Sequence, residues 1–219
     1  MLTFAVRSFL FWSTLCVACT PRPSAAVNTP EAAAEDPIAV YDVLEVAIAD
    51  GEDSEQQRVD ALAKIERAPD DDSAGYAFVR AALNGRVAEL RGANAGKLVT
   101  EAEAWARKSL ERDATFRDGA ATQMLGSLYV MAPARLLEHG DSEKGLEMLE
   151  GLVAAKPDEA RYRLRLGQAY LNLGDEQASF PHLCAATTAR ATLRGDEQKL
   201  LDKLVTDAGG EAALGCAKP

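Results

Sequence analysis

Two short stretches decide how this 219-residue chain is read: Leu125-Gly126-Ser127-Leu128-Tyr129 and Leu166-Gly167-Gln168-Ala169-Tyr170. They lie 41 residues apart and share Leu-Gly at the front and Tyr at the back. Downstream of each comes a Gly-Asp pair, Gly140-Asp141 and Gly174-Asp175, at an offset of 34. The difference is an insertion of seven residues between Tyr129 and Gly140, holding Ala132-Pro133. Self-similarity at this period marks a stack of helical hairpins, none of which buries its apolar face alone. In such a unit Gly126 and Gly167 let the paired helix approach closely, and Tyr129 and Tyr170 fill the gap between hairpins. Gly145, Leu149 and Leu152 take the second-helix places, and Pro157 ends the unit. In the later copy Ala178 sits one residue early, and Pro181 is expected to interrupt the second helix.

Outward from these copies, apolar residues recur at spacings of three and four, not two. Ile38, Val40, Val43, Leu44 and Val46 begin a first helix that ends before Asp50-Gly51. Val59, Ala61, Leu62 and Ile65 line a second, which stops at Pro69. A third follows Asp70-Asp71-Asp72-Ser73 and runs to about Gly92. Leu98, Ala102, Trp105, Ala106 and Leu110 mark a fourth, in which Ala102, Ala106, Ser109 and Ala114 fit the second-helix places of an earlier repeat. Five more are expected: over 118–131, from Asp141, near Pro157, near Asp175, and from Gly195 to before Gly209-Gly210. The expected fold is all-α, a helical-hairpin solenoid over 37–208 with about four hairpins plus a C-terminal helix, followed by a tail, 209–219.

Composition agrees with close helix packing. Hydrophobic residues are 47% of the chain but aromatics only 6%, so the core is built from Ala and Leu rather than stacked rings. Lys+Arg number 24 against 34 Asp+Glu, a formal charge of −10. That excess of acid argues against nucleic acid as a partner and against a basic helix lying on a membrane.

The N-terminus reads as an export leader. Arg7 precedes an apolar run, Ser8 to Val17, too short for a bilayer span of roughly 20 residues. The run ends in Cys16-Val17-Ala18-Cys19, which resembles a bacterial lipoprotein box and makes Cys19 the lipidated first residue of the mature chain. A cleaved soluble signal and an uncleaved anchor are the alternatives. Residues 20–36, with three prolines and many small residues, read as a Pro/Ala-rich disordered tether. Loss of the leader removes Arg7 and leaves 23 basic against 34 acidic residues.

The 34-residue period is that of the tetratricopeptide repeat. Leu125-Gly126-x-x-Tyr129-x-x-Ala132-Pro133, followed by Gly140-Asp141-x-Glu143-Lys144, resembles the T component of tetratricopeptide-associated TRAP transporters. Arg86 to Leu110, with Glu89-Leu90-Arg91-Gly92, fits as well, and the resemblance covers about residues 73 to 205. It implies a lipoprotein on the periplasmic face of a bacterial membrane, read here as the outer membrane. It also implies a periplasmic solute-binding protein and a membrane permease as partners, and a homo-oligomer.

The chain has no H-E-x-x-H, G-x-S-x-G, P-loop or G-x-G-x-x-G pattern, so no catalytic residue, metal ligand or cofactor is expected. Its only histidines are His139, read as a helix C-terminal residue, and His182, read as a first-turn residue of a restarted helix. The Asp70-Asp71-Asp72 run reads as a helix N-terminal cap rather than a cation site. Cys184 and Cys216 read as a disulfide in an oxidising compartment, two separate thiols being the alternative. By repeat position Gln123, Ser127 and Met131 of one hairpin, and Arg161, Gln168 and Asn172 of the next, face a concave groove suited to a peptide segment or a small acid; a solvated face is the bland alternative. The sequence thus points to a non-enzymatic interaction module, with the transport accessory as its sharper form. A carrier of a metabolite or lipid is the second reading, and a degraded enzyme scaffold the last.

Overall fold

The computed structural model describes residues 36–216; the expected leader, Cys19 and residues 20–35 of the tether lie outside the described residues. The described chain is all-α, with ten α-helices, four single 3-10 turns and no strand. The helices are α1 Pro37–Asp50, α2 Glu55–Arg67, α3 Ala74–Arg91, α4 Gly96–Arg112, α5 Ala120–Met131, α6 Ser142–Ala155, α7 Ala160–Leu173, α8 Glu176–Thr188, α9 Gly195–Asp207 and α10 Glu211–Leu214.

Local chemistry sets most of these ends. Asp36 accepts the Ile38 N–H at 3.0 Å ahead of Pro37 at the first helical position, where a missing N–H costs nothing. Ser54 and Gln57 form a reciprocal capping box at the start of α2. Ser73, Asp141 and Asp175 each accept an N–H three residues on, at 2.9, 2.9 and 3.0 Å. Gly51 and Gly174 end α1 and α7 in the left-handed region, at φ 77° and 83°, which glycine adopts without a Cβ clash.

Three pairs, α3/α4, α5/α6 and α7/α8, pack as neighbours, the first and last across short connections and α5/α6 across the inserted loop. Small residues sit at their crossings. A methyl added at Gly126 would stand 3.0 Å from the Gly145 carbonyl oxygen and 2.9 Å from Leu149, while one at Gly145 would stand 2.7 Å from the Gly126 oxygen. At the α7/α8 crossing Gly167 faces Leu183, and Ser179 of α8 is fully buried. In α4 Ala102, Ala106 and Ser109 are fully buried, and Ser109 Oγ donates to the Ala74 carbonyl at 2.9 Å. Ala114 lies beyond the end of α4 and is exposed. The Tyr162 hydroxyl, near the start of α7, donates to the Asp118 carbonyl just ahead of α5, and Asn172, near its end, donates to the Val130 carbonyl. The helices α5 and α7 therefore run side by side and parallel.

Three findings differ from the sequence reading. Pro181 does not interrupt α8, which runs continuously from Glu176 to Thr188. Its missing N–H removes one hydrogen bond near the first turn, and the buried Ser179, Leu183 and Ala186 hold the helix against its neighbours. The stretch read as a tail contains a tenth helix, α10, packed on α8 and α9. Finally, α1 packs on α3 and also on α9, so the first and ninth helices meet. The backbone there leaves no space: a methyl on Gly195 would stand 2.3 Å from the Ala49 carbonyl oxygen.

Candidate functional site

Where α1 meets α3 and α9, charge is concentrated inside the fold. Of the three carboxylates in α1, Asp42, Glu45 and Asp50, Glu45 is the buried one. Arg86 of α3 grips it through two bonds, Nε to Oε1 and Nη2 to Oε2, both 2.8 Å. Arg194, just ahead of α9, binds the same carboxylate through Nη1 and holds Asp196 at 2.8 Å through Nη2. Arg86 also reaches Glu89 at 3.2 Å, and Glu89 takes a bond from Arg58 at 2.8 Å. Arg58 holds Asp53 at 2.6 Å. A continuous chain of alternating charge thus runs from Asp53 on the α1–α2 connection to Asp196 in α9.

The pKa shifts follow from this pairing. Burial by itself would raise the Glu45 carboxyl, but the Arg86 hydrogen bonds and the charges of Arg86 and Arg194 outweigh it and hold the group below its ordinary value. Asp196 is likewise held low, burial being overcome by its bond to Arg194 and by the Arg86 charge. Arg165 of α7 faces the same region, where burial pushes its guanidinium down while Glu197 pulls it up. Its Nη1 donates to Gln168 at 3.1 Å. This arrangement fastens helices together; the carboxylates and guanidinium groups occupy one another.

The six expected groove residues meet different fates. Gln168 is engaged by Arg165, and Asn172 ties the end of α7 to α5. The Arg161 guanidinium stands 5.5 Å from the centre of the Tyr162 ring, and its Nε is buried with no hydrogen-bond partner. Gln123 and Ser127 are half-buried on α5, and Met131 is 49% exposed at its last residue. Of the packing tyrosines, Tyr129 is buried, its ring resting on Gly140. Tyr170 is only half-buried; its hydroxyl donates to Glu150 at 2.5 Å and its ring stacks on His182, 5.7 Å between centroids. Its phenol is pushed up to about 12 by burial and by Glu150.

The remaining candidates resolve into local structure. His182 lies mid-helix in α8, 3.1 Å from Arg163 Nη1, and burial followed by the Arg163 charge lowers its pKa. His139 lies in the insertion, not at a helix end. Its backbone N–H and that of Glu138 both bond to the buried Glu103 carboxylate of α4, at 2.8 and 2.7 Å. Glu103 thereby anchors the inserted loop, beside a cleft of about 210 Å³ lined by Thr100, Arg107, Lys108 and Glu111. In the Asp70-Asp71-Asp72 run, Asp70 and Asp71 accept backbone N–H groups two residues on, and Arg112 pairs with Asp70 and Asp72. Among the described residues no group of three or more His, Cys, Asp or Glu is placed to hold a metal ion. No described helix is long and apolar enough to cross a membrane. Cys184 and Cys216 form a disulfide, with Cα atoms 5.4 Å apart.

Sequence reasoning missed Glu45, Arg86, Arg194 and Glu103. Only Glu45 carried a signal, as one carboxylate within the apolar Val43-Leu44-Glu45-Val46. Compared with known proteins, the chain matches no family model and none of the curated protein sequences.

Proposed function

We propose that this protein is an exported, lipid-anchored, tetratricopeptide-like solenoid that works as a non-enzymatic protein–protein interaction module. In its sharper form it is an accessory to a TRAP-type solute transporter, and its partner is a periplasmic solute-binding protein. In this reading the described helices are about four hairpins, α1/α2 to α7/α8, with α9 as the terminal helix. The observation that supports the reading is the neighbour packing of α3/α4, α5/α6 and α7/α8 with small residues at their crossings, as stacked helical hairpins require.

Exposed apolar residues mark the docking edge. Leu90, Met131 and Leu173 are 40%, 49% and 42% exposed, and each stands in the last turn of its helix, α3, α5 and α7. Isolated exposed apolar residues are ordinary; a row of them on successive repeats is what a partner covers. Two measurements test the proposal. Changing Cys19 to Ser should release the protein from membranes, and retention in the membrane fraction defeats the lipid anchor. A solute-binding protein should co-purify with the wild-type chain and be lost with Met131→Glu/Leu173→Glu; unchanged recovery defeats this edge as the docking site.

A further inference from the structure

We propose that the Cys184–Cys216 disulfide is a reducible latch, and that Gly209–Cys216 is a self-docked lid over an apolar face of α8 and α9. The lid has little else to hold it. Its helix α10 is one turn long, lacks a side-chain N-terminal cap, and buries a single side chain, Leu214. That leucine joins Leu183 of α8 and Leu201, Leu204 and Ala208 of the α9 region in one apolar cluster. Both ends of the segment turn on glycines in the left-handed half of backbone space, Gly209 at φ 95°, Gly210 at 86° and Gly215 at 61°. Such residues have the most freedom to gain on release. One leucine on one helical turn does not offset the conformational entropy of ordering eight residues, three of them glycine. The covalent bond therefore decides whether the lid is down.

Both cysteines are half-buried rather than fully enclosed, which leaves the bond within reach of a thiol. The reductant is a dithiol. One of its thiolates attacks a cysteine sulfur, breaking the Cys184–Cys216 bond and forming a mixed disulfide. Its second thiolate then displaces the protein thiol, and the reductant leaves as a disulfide. Two electrons and two protons pass to the protein, which ends with two free thiols. Lifting the lid uncovers the part of this apolar cluster that Leu214 covers. The inference goes beyond the interaction role above and does not depend on a transporter: it makes a second apolar face, at the C-terminal end of the array, conditional on thiol–disulfide state.

Hydrogen exchange read by mass spectrometry on the purified chain tests it, comparing oxidised protein, protein treated with dithiothreitol, and Cys184→Ser/Cys216→Ser. Thiol alkylation reports whether the bond was reduced. The expected result is that amides of 209–216 exchange at least about tenfold faster once the bond is gone, while those of α7 and α8 keep their protection. A bond that dithiothreitol leaves intact in the folded protein overturns the latch. A lid that stays protected in the double variant overturns the idea that the bond holds it. Loss of protection in α7 and α8 along with the lid makes the disulfide a staple of the whole fold, and also overturns the proposal.

Discussion

Glycine at 126 and 145 was legible as a packing residue because the repeat places it where two helices cross. What it touches was not legible. A methyl at Gly145 would meet the Gly126 carbonyl oxygen at 2.7 Å and Tyr129 Cβ at 2.8 Å, and backbone cannot step aside as a flexible side chain can. Alanine is the better helix former by about 1 kcal/mol, so propensity and packing oppose each other here. Overpacking wins: Gly145→Ala should lower stability by about 1–3 kcal/mol in urea titration, and a stabilised variant would mean the α5/α6 crossing is loose. At His182 the expectation concerns pH. Burial and Arg163 hold the imidazole neutral in the fold, below its ordinary value of 6.5. The unfolded chain takes up the proton first as pH falls through that value, so this contribution is full above it and is lost below it. The thermal midpoint should therefore drop between pH 7 and 5 in the wild type by more than in His182→Gln. Equal slopes would show that the histidine is not the titrating group.

Among the elements, α1 and α8 depart most from what periodicity foretells. The sequence marks α1 as a helix, but its apolar residues do not say which side is buried. Val43 and Val46 are 73% and 62% exposed, while Tyr41, Leu44, Glu45 and Ile48 face inward. The carboxylate decides the orientation, because Arg86 and Arg194 receive it inside. Glu45→Ala should cost about 3 kcal/mol, toward the low end for breaking a buried pair, since Asp196 and Glu89 still face Arg86. Hydrogen exchange should then speed up in α1 first. If α1 keeps its protection, apolar packing alone holds it. For α8, the proline argued for a broken helix, and the helix runs through it. A breaker has a local penalty, and the burial of Leu183 and Ala186 outweighs it.

At the largest scale among the described residues, the ninth helix packs back against the first. The tie runs through carboxylates whose pKa values are lowered, Glu45 and Asp196. Their contribution is complete above the ordinary carboxylate values of 4.5 and 3.8 and is lost as pH falls below them. The protein should accordingly expand in small-angle scattering below about pH 4, with α1 and α9 losing exchange protection before α5 and α6. Simultaneous loss everywhere would mean that the closure is no weaker than the hairpins. This loss begins at lower pH than the one set by His182, which starts near 6.5.

By itself the sequence determined the all-α class, the positions of nine helices and the small residues at the later crossings. Those features rest on caps, apolar spacing and turn glycines, whose partners lie within a few residues or one repeat. Only the tertiary structure decided that Arg194 reaches Glu45 across 149 positions, that Glu103 anchors a loop 35 positions on, and that α9 closes against α1. A charged side chain carries no mark of its distant partner. The packing of helices far apart in the chain selects that partner, and no local pattern encodes it.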